Sequence, residues 1–182
     1  MLANSLELRK KGPRIRHLVE AAEPYQSIAV EPLTPVIGAE ISGVDLAAPS
    51  PLQLEEIERA LVAHCVVFFR DQHMTPAQHL DFGRHFGPLH LHPAAPHEPG
   101  LPELMIITAD KDSPRANGEG WHSDVSCDIE PPMGSILHLQ VVPPDGGGDT
   151  MFANQYLAYE ALSDGLKATL DGLIGVSSSI KA

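Results

Sequence analysis

His122 and Asp124 stand two residues apart in the stretch GEGWHSDVSCD, residues 118–128, directly behind the only tryptophan of the chain, Trp121. On an extended segment, side chains two apart point the same way, so an imidazole nitrogen and a carboxylate oxygen could address one point while Ser123 faces elsewhere. One neutral nitrogen and one hard oxygen are a bidentate metal grip. A second histidine from a distant strand would complete a facial triad of the kind non-haem Fe(II) oxygenases use, with three positions left open. The pair alone is a weak signal, because a solvated loop His and Asp arise often by chance. Cys127, three residues after Asp124, adds a thiolate that could bind a soft metal, although a packed thiol is the commoner outcome.

The elements that would position this pair can be read on either side of it. Residues 26–46 mix β-branched residues with Pro32, Pro35, Gly38 and Gly43, which predicts short strands broken by turns, an edge hairpin. SPLQLEEIERALVAH opens on Ser50 and Pro51 and sets Leu54, Ile57, Leu61 and Val62 at helical spacing, so it is a helix. CVVFFRD is too short for a helix and predicts a buried strand, with Cys65 as a buried thiol. TPAQHLDFGRHFG starts with a threonine cap and Pro76 at the first helical position, and stops at Gly87-Pro88. A second helix follows from that. PLHLHPAAPHEPGLP, with five prolines and three histidines, predicts a surface loop. ELMIITAD, GSILHLQVV, DTMFANQ and VSSSI are expected strands, and LAYEALSDGLKATLDGLIG a last helix interrupted near Gly165.

A length of 182 residues with 43% hydrophobic content suits one domain with one sizeable core, and residues 1–25 are expected to be a flexible tail. The formal charge of −12 argues against a nucleic-acid partner, since phosphate binding needs concentrated positive charge. The basic cluster LRKKGPRIR near the N-terminus fits a solvated tail. No apolar run reaches the length of a membrane span, and two cysteines make no disulfide framework, so a cytoplasmic location without a membrane partner is expected. Short strands with a few helices near one side predict an α+β or mainly β domain.

Three motifs, VVFFRDQHMTPAQHLDFGRHFGPLHLHPAAPH, WHSDVSCDIEPPMGSIL and GGGDTMFANQYLAYEAL, resemble in order and spacing the taurine dioxygenase family of Fe(II)- and 2-oxoglutarate-dependent oxygenases, over about residues 28–173. The resemblance implies a distorted double-stranded β-helix, or jelly roll, with flanking helices. Residues 26–182 would be its N-terminal two-thirds. It further implies that His122 and Asp124 are the first two iron ligands, that the Thr150 hydroxyl contacts a carboxylate of 2-oxoglutarate, and that His92 contacts substrate near the iron. Trp121 and Phe152 match aromatic positions packed around the ligand strands. The activity implied is hydroxylation of a small, anionic, sulfonate-like substrate by molecular oxygen, coupled to decarboxylation of 2-oxoglutarate to succinate. Many members form dimers or tetramers, so a homo-oligomer is expected.

The departures from the family are specific. Ala95 stands where taurine-oxidising members carry a tyrosine and Gly118 where they carry an asparagine, with Asn117 adjacent and able to substitute as a substrate contact. Both changes remove polar groups from the substrate pocket, so taurine itself does not carry over. The family's second iron-binding histidine and its 2-oxoglutarate-binding arginine would fall beyond Ala182. A missing C-terminal part of the jelly roll is the preferred account. Two alternatives stay open: a zinc-binding hydrolase using His90, His92, His97 or Cys127, and a non-catalytic relative lacking those two residues.

Overall fold

The computed structural model describes residues 23–92, 97–110, 112–113 and 120–178, which divide into two compact units. The first unit takes its described residues from positions 23–73 and 140–173, the second from positions 74–139 and 174–178.

In the first unit the expected hairpin forms. Strand β1 (Ala29–Pro32) runs antiparallel to β2 (Ala39–Ser42), with Val30 opposite Ile41. The turn between them is closed by Leu33 N–H donating to the Gly38 carbonyl at 2.9 Å, and Gly38 has φ +87, a left-handed conformation that costs glycine nothing. The hairpin is not an edge feature throughout. Its second strand becomes the centre of a three-stranded sheet, because β3 (Val67–Phe69) adds in parallel on the far side of β2.

A parallel pair needs a crossover, and helix α1 (Pro51–His64) supplies it. Its start follows from the sequence: Pro51 sits in the first turn, Ser50 Oγ accepts from Gln53 N–H, and the Gln53 side chain accepts from Ser50 N–H. The helix buries Glu56, Ile57, Ala60 and His64 and leaves Val62 in solvent. The apolar spacing therefore located the helix but placed its inner face one position off. It ends at Cys65 in the left-handed region, φ 67. Cys65 is exposed rather than a buried thiol, because the chain reverses there to enter β3, which is itself only half-buried. Ile28, Ala39, Ile41, Leu46, Ile57 and Ala60 make the core.

The later segment of this unit is fastened by two contacts. Phe152 meets the edge of Phe68 at a centroid distance of 5.8 Å. Asn154 Nδ2 donates to the Val36 carbonyl at 2.7 Å while its Oδ1 accepts from Leu157 N–H and caps helix α3 (Gln155–Glu160). One residue thus starts a helix and ties it to the hairpin turn. Asn154→Ala should lower the stability of this unit by about 1–3 kcal/mol, a cap plus a part-buried hydrogen bond, read as a lower urea midpoint. The predicted last helix is two helices. The break falls at residues 161–163, where Ser163 caps α4 (Asp164–Leu170), and Gly165 lies inside the new helix.

In the second unit α2 (Pro76–Arg84) begins as the sequence predicts, with a reciprocal Thr75–Gln78 capping box and Pro76 in the first turn. It packs on β5 (Leu101–Met105), which pairs antiparallel with the two-residue β4 (His97–Glu98). The proline-rich stretch expected to be all loop thus contributes a hairpin. Pro99-Gly100 forms its turn, with Gly100 at φ +80, and Pro102 is tolerated because each strand of a two-stranded sheet has a free side.

Among the described residues, three expected strands do not form. Residues 134–142 and 149–154 carry no ladder, nor do 176–178, and Val141 and Val176 are 80% and 90% exposed. The predicted strand from Glu103 onward likewise ends at Met105. Apolar, β-branched composition gives a segment the propensity for a ladder but not the partner, and among the described residues none lies alongside. No closed barrel is present among them either. The flexible-tail expectation for residues 1–25 falls outside the described residues up to position 22, and Tyr25 is held, its ring 4.8 Å from the Arg59 guanidinium carbon.

Candidate metal centre

Residues 120–130, in the second unit, carry the candidate pair. His122 and Asp124 converge, with Nε2 and Oδ1 3.1 Å apart. Convergence does not come from a strand, as the alternation argument supposed. Residues 121–123 have no ladder partner, and Asp124 opens a turn in which Asp128 N–H donates to the Val125 carbonyl at 3.1 Å. Val125 sits at φ 49, a left-handed conformation that costs a β-branched residue roughly 1–2 kcal/mol. Strained backbone beside a candidate ligand is a common feature of functional sites.

Each side chain is also held from behind. His122 Nδ1 lies 2.7 Å from the Gly120 carbonyl, which can only accept, so Nδ1 carries the proton and Nε2 is the atom presented forward. The Gly120 carbonyl, with the Asp124 carboxylate, holds the His122 pKa above the ordinary histidine value against a smaller opposing desolvation. Asp124 Oδ2 accepts from Ser135 Oγ at 2.5 Å, leaving Oδ1 as the forward oxygen. Nothing in the local sequence pattern pointed to Ser135, which lies 11 positions away.

Two protein atoms bound to one divalent ion at about 2.1 Å each, at right angles, stand about 3.0 Å apart. The 3.1 Å separation of Nε2 and Oδ1 meets that requirement, and both side chains are half exposed, at 55% and 52%, so an ion could reach them. An exposed ion pair by itself adds little stability. The donor set, one imidazole nitrogen and one carboxylate oxygen, suits a borderline-hard ion such as Fe(II). It supplies two of the three protein ligands of a facial triad, and no group of three His, Cys, Asp or Glu side chains able to hold a metal occurs among the described residues.

The other candidate residues are distributed as follows. His92 is half-buried in the same unit, its ring edge-on to His90 at 6.4 Å. His90 Nε2 pairs with Asp128 Oδ2 at 3.2 Å, and His90 together with the Ile129 N–H holds the Asp128 carboxyl below its ordinary range. Loop and ligand turn are thereby linked. His97 lies opposite Met105 in the β4–β5 ladder and Cys127 is exposed, so the histidines and cysteine weighed for zinc form no shared cluster. Trp121 is 70% exposed, since no strand lies over it among the described residues, whereas Phe152 packs on Phe68. Thr150 is exposed in the first unit, beyond Gly148 at φ +84. Asn117, with Ala95 and Gly118, lies outside the described residues.

The profile of the family described as "Taurine catabolism dioxygenase TauD, TfdA family" matches residues 29–179. The chain belongs to this family. Its members are Fe(II)- and 2-oxoglutarate-dependent dioxygenases, 2-oxoglutarate being the α-ketoglutarate of the names that follow. Among similar proteins, the α-ketoglutarate-dependent sulfonate dioxygenase of Saccharomyces cerevisiae is 34% identical over 170 residues, covering 87% of this chain and 41% of that protein. The α-ketoglutarate-dependent sulfate ester dioxygenase of Pseudomonas putida is 38% identical over 152 residues, covering 82% and 49%. A crystal structure of a taurine dioxygenase from Burkholderia xenovorans superposes with a TM-score of 0.67 at 39% identity, covering 81% of this chain and 52% of that one. The chain spans about half the length of the relatives it matches.

Proposed function

We propose that this TauD/TfdA family chain forms part of a dioxygenase that hydroxylates a small organic anion of the sulfonate or sulfate-ester class while 2-oxoglutarate is decarboxylated to succinate. The observation that carries the reading is the 3.1 Å approach of His122 Nε2 to Asp124 Oδ1, each side chain oriented by a second bond on its far side. In the proposal these two atoms hold Fe(II), and the metal with 2-oxoglutarate and molecular oxygen supplies the oxidising chemistry. The chain's own residues bind and orient. The Gly120 carbonyl keeps the Nδ1 proton in place so that Nε2 remains the ligand atom. Thr150 donates its hydroxyl to a carboxylate of 2-oxoglutarate, a role for a small neutral donor. His92 and Asn117 meet the substrate, and the His90–Asp128 pair keeps the His92 loop against the ligand turn.

The second iron-binding histidine and the cationic partner of 2-oxoglutarate belong, in this reading, to the half of the jelly roll that relatives carry beyond the matched region. Exposed apolar segments such as Leu137–Leu139–Val141 would find their ladder partners there. A small anionic substrate fits the relatives, two of which are named for sulfonates and sulfate esters.

The test uses the full native protein with Fe(II), 2-oxoglutarate and oxygen, and a panel of alkylsulfonates, alkyl sulfate esters and phenoxy acids. Succinate should form in step with aldehyde and released sulfite or sulfate from members of the first two classes, with phenoxy acids turned over at least roughly ten-fold more slowly. Succinate formed only with phenoxy acids would overturn the substrate class. No 2-oxoglutarate consumption with any of them would overturn the activity.

A further inference from the structure

Ser135 is placed with more care than an exposed serine in an unpaired segment requires. The segment is pinned to α2 just after it. A Cβ at position 83 would stand 3.1 Å from Leu89 Cδ2 and 3.8 Å from Ile136 Cδ1, so Ile136 lies within van der Waals reach of the helix at Gly83. Two residues further on, His138 meets the edge of His79, also on α2, at 5.8 Å. His79 in addition bonds to the Ile136 backbone. Between these anchors and the ligand turn, Ser135 Oγ donates to Asp124 Oδ2.

We propose that Ser135 is a positioning residue for the metal site: by occupying Oδ2 it holds the Asp124 carboxylate to one-oxygen coordination through Oδ1. A carboxylate free to rotate could offer both oxygens to the ion and take a further coordination position, one that a bidentate cosubstrate and an oxidant need. A hydroxyl donor on the outer oxygen opposes that rotation, and its rigidity comes from α2 through Ile136 and His138. Outer-sphere partners of this kind are typically worth 10- to 100-fold in metal affinity. The inference rests on the reading of His122 and Asp124 as ligands, so its test must separate the two.

Mn(II) binding to the full native protein, followed by electron paramagnetic resonance, provides a readout independent of turnover. Ser135→Ala should weaken Mn(II) binding roughly ten-fold with an unchanged thermal midpoint, since the side chain is exposed. Ser135→Thr should stay near wild type, whereas Ser135→Val, which has the same shape as threonine but no hydroxyl, should resemble Ser135→Ala. The threonine–valine pair decides the matter even if the alanine variant folds poorly. Wild-type Mn(II) affinity in both Ser135→Ala and Ser135→Val would overturn the proposal while Asp124→Ala still abolishes binding. Tight Mn(II) binding retained by Asp124→Ala would instead overturn the ligand reading on which it rests.

Discussion

Asp124→Ala should cut 2-oxoglutarate turnover by the full native protein by a factor of roughly a thousand or more, because in the proposed site it removes a ligand atom and its negative charge. The weak visible charge-transfer band of anaerobic Fe(II) with 2-oxoglutarate should vanish with it. Circular dichroism should not change, since the carboxylate is half exposed, bonds among the described residues to His122 and Ser135, and lies outside every helix and ladder. His122→Ala is expected to behave in the same way. A protein that keeps its band after losing Asp124 would hold its metal elsewhere, and the 3.1 Å pair would then be a surface ion pair.

The largest effect on stability is expected at Glu56, far in sequence from the metal centre. Its carboxylate is 2% exposed and accepts from Gln26 N–H at 2.6 Å, Ser27 N–H at 2.9 Å and Ser27 Oγ at 2.7 Å. Burial alone would raise its pKa, but these donors outweigh it and bring the group from 4.5 down to about 2. A helix carboxylate therefore clamps the chain leading into β1. Glu56→Ala would strand two backbone donors and a hydroxyl and should lower the melting temperature of the first unit by several degrees or more.

The pH dependence has a definite sign. The folded-state pKa is depressed, so the stabilisation is fully present above about 4.5 and is lost progressively as pH falls toward about 2. Urea midpoints of wild type and Glu56→Ala should therefore differ widely at pH 7 and approach each other near pH 2. A gap that stays constant across that range would mean that the carboxylate contributes packing and no charge-dependent bonding.

Glu56 also shows what sequence reading misses. Nothing in its residue type announces burial, whereas Val62 stands among the apolar residues at helical spacing. The fold reverses them, because the incoming chain brings three donors to position 56 and leaves Val62 55% exposed. Such a partnership spans about thirty positions and leaves no periodic trace. Ser135 is invisible for the same reason: a serine 11 residues from Asp124 acquires meaning only when Ile136 and His138 are laid on α2.

By itself the sequence determined what depends on near neighbours. Helix starts at Ser50-Pro51 and Thr75-Pro76 and the hairpin turn at Gly38 are written within four or five consecutive residues, since capping and turn conformation are local physics. The three motifs likewise carried the family, because their order and spacing are properties of the chain. Tertiary structure alone decided which apolar stretches found a ladder, which face of α1 went inward, and which oxygen of Asp124 is turned toward His122. Those depend on groups that meet only after the chain has folded, where a hydrogen bond or a buried contact needs both partners in place.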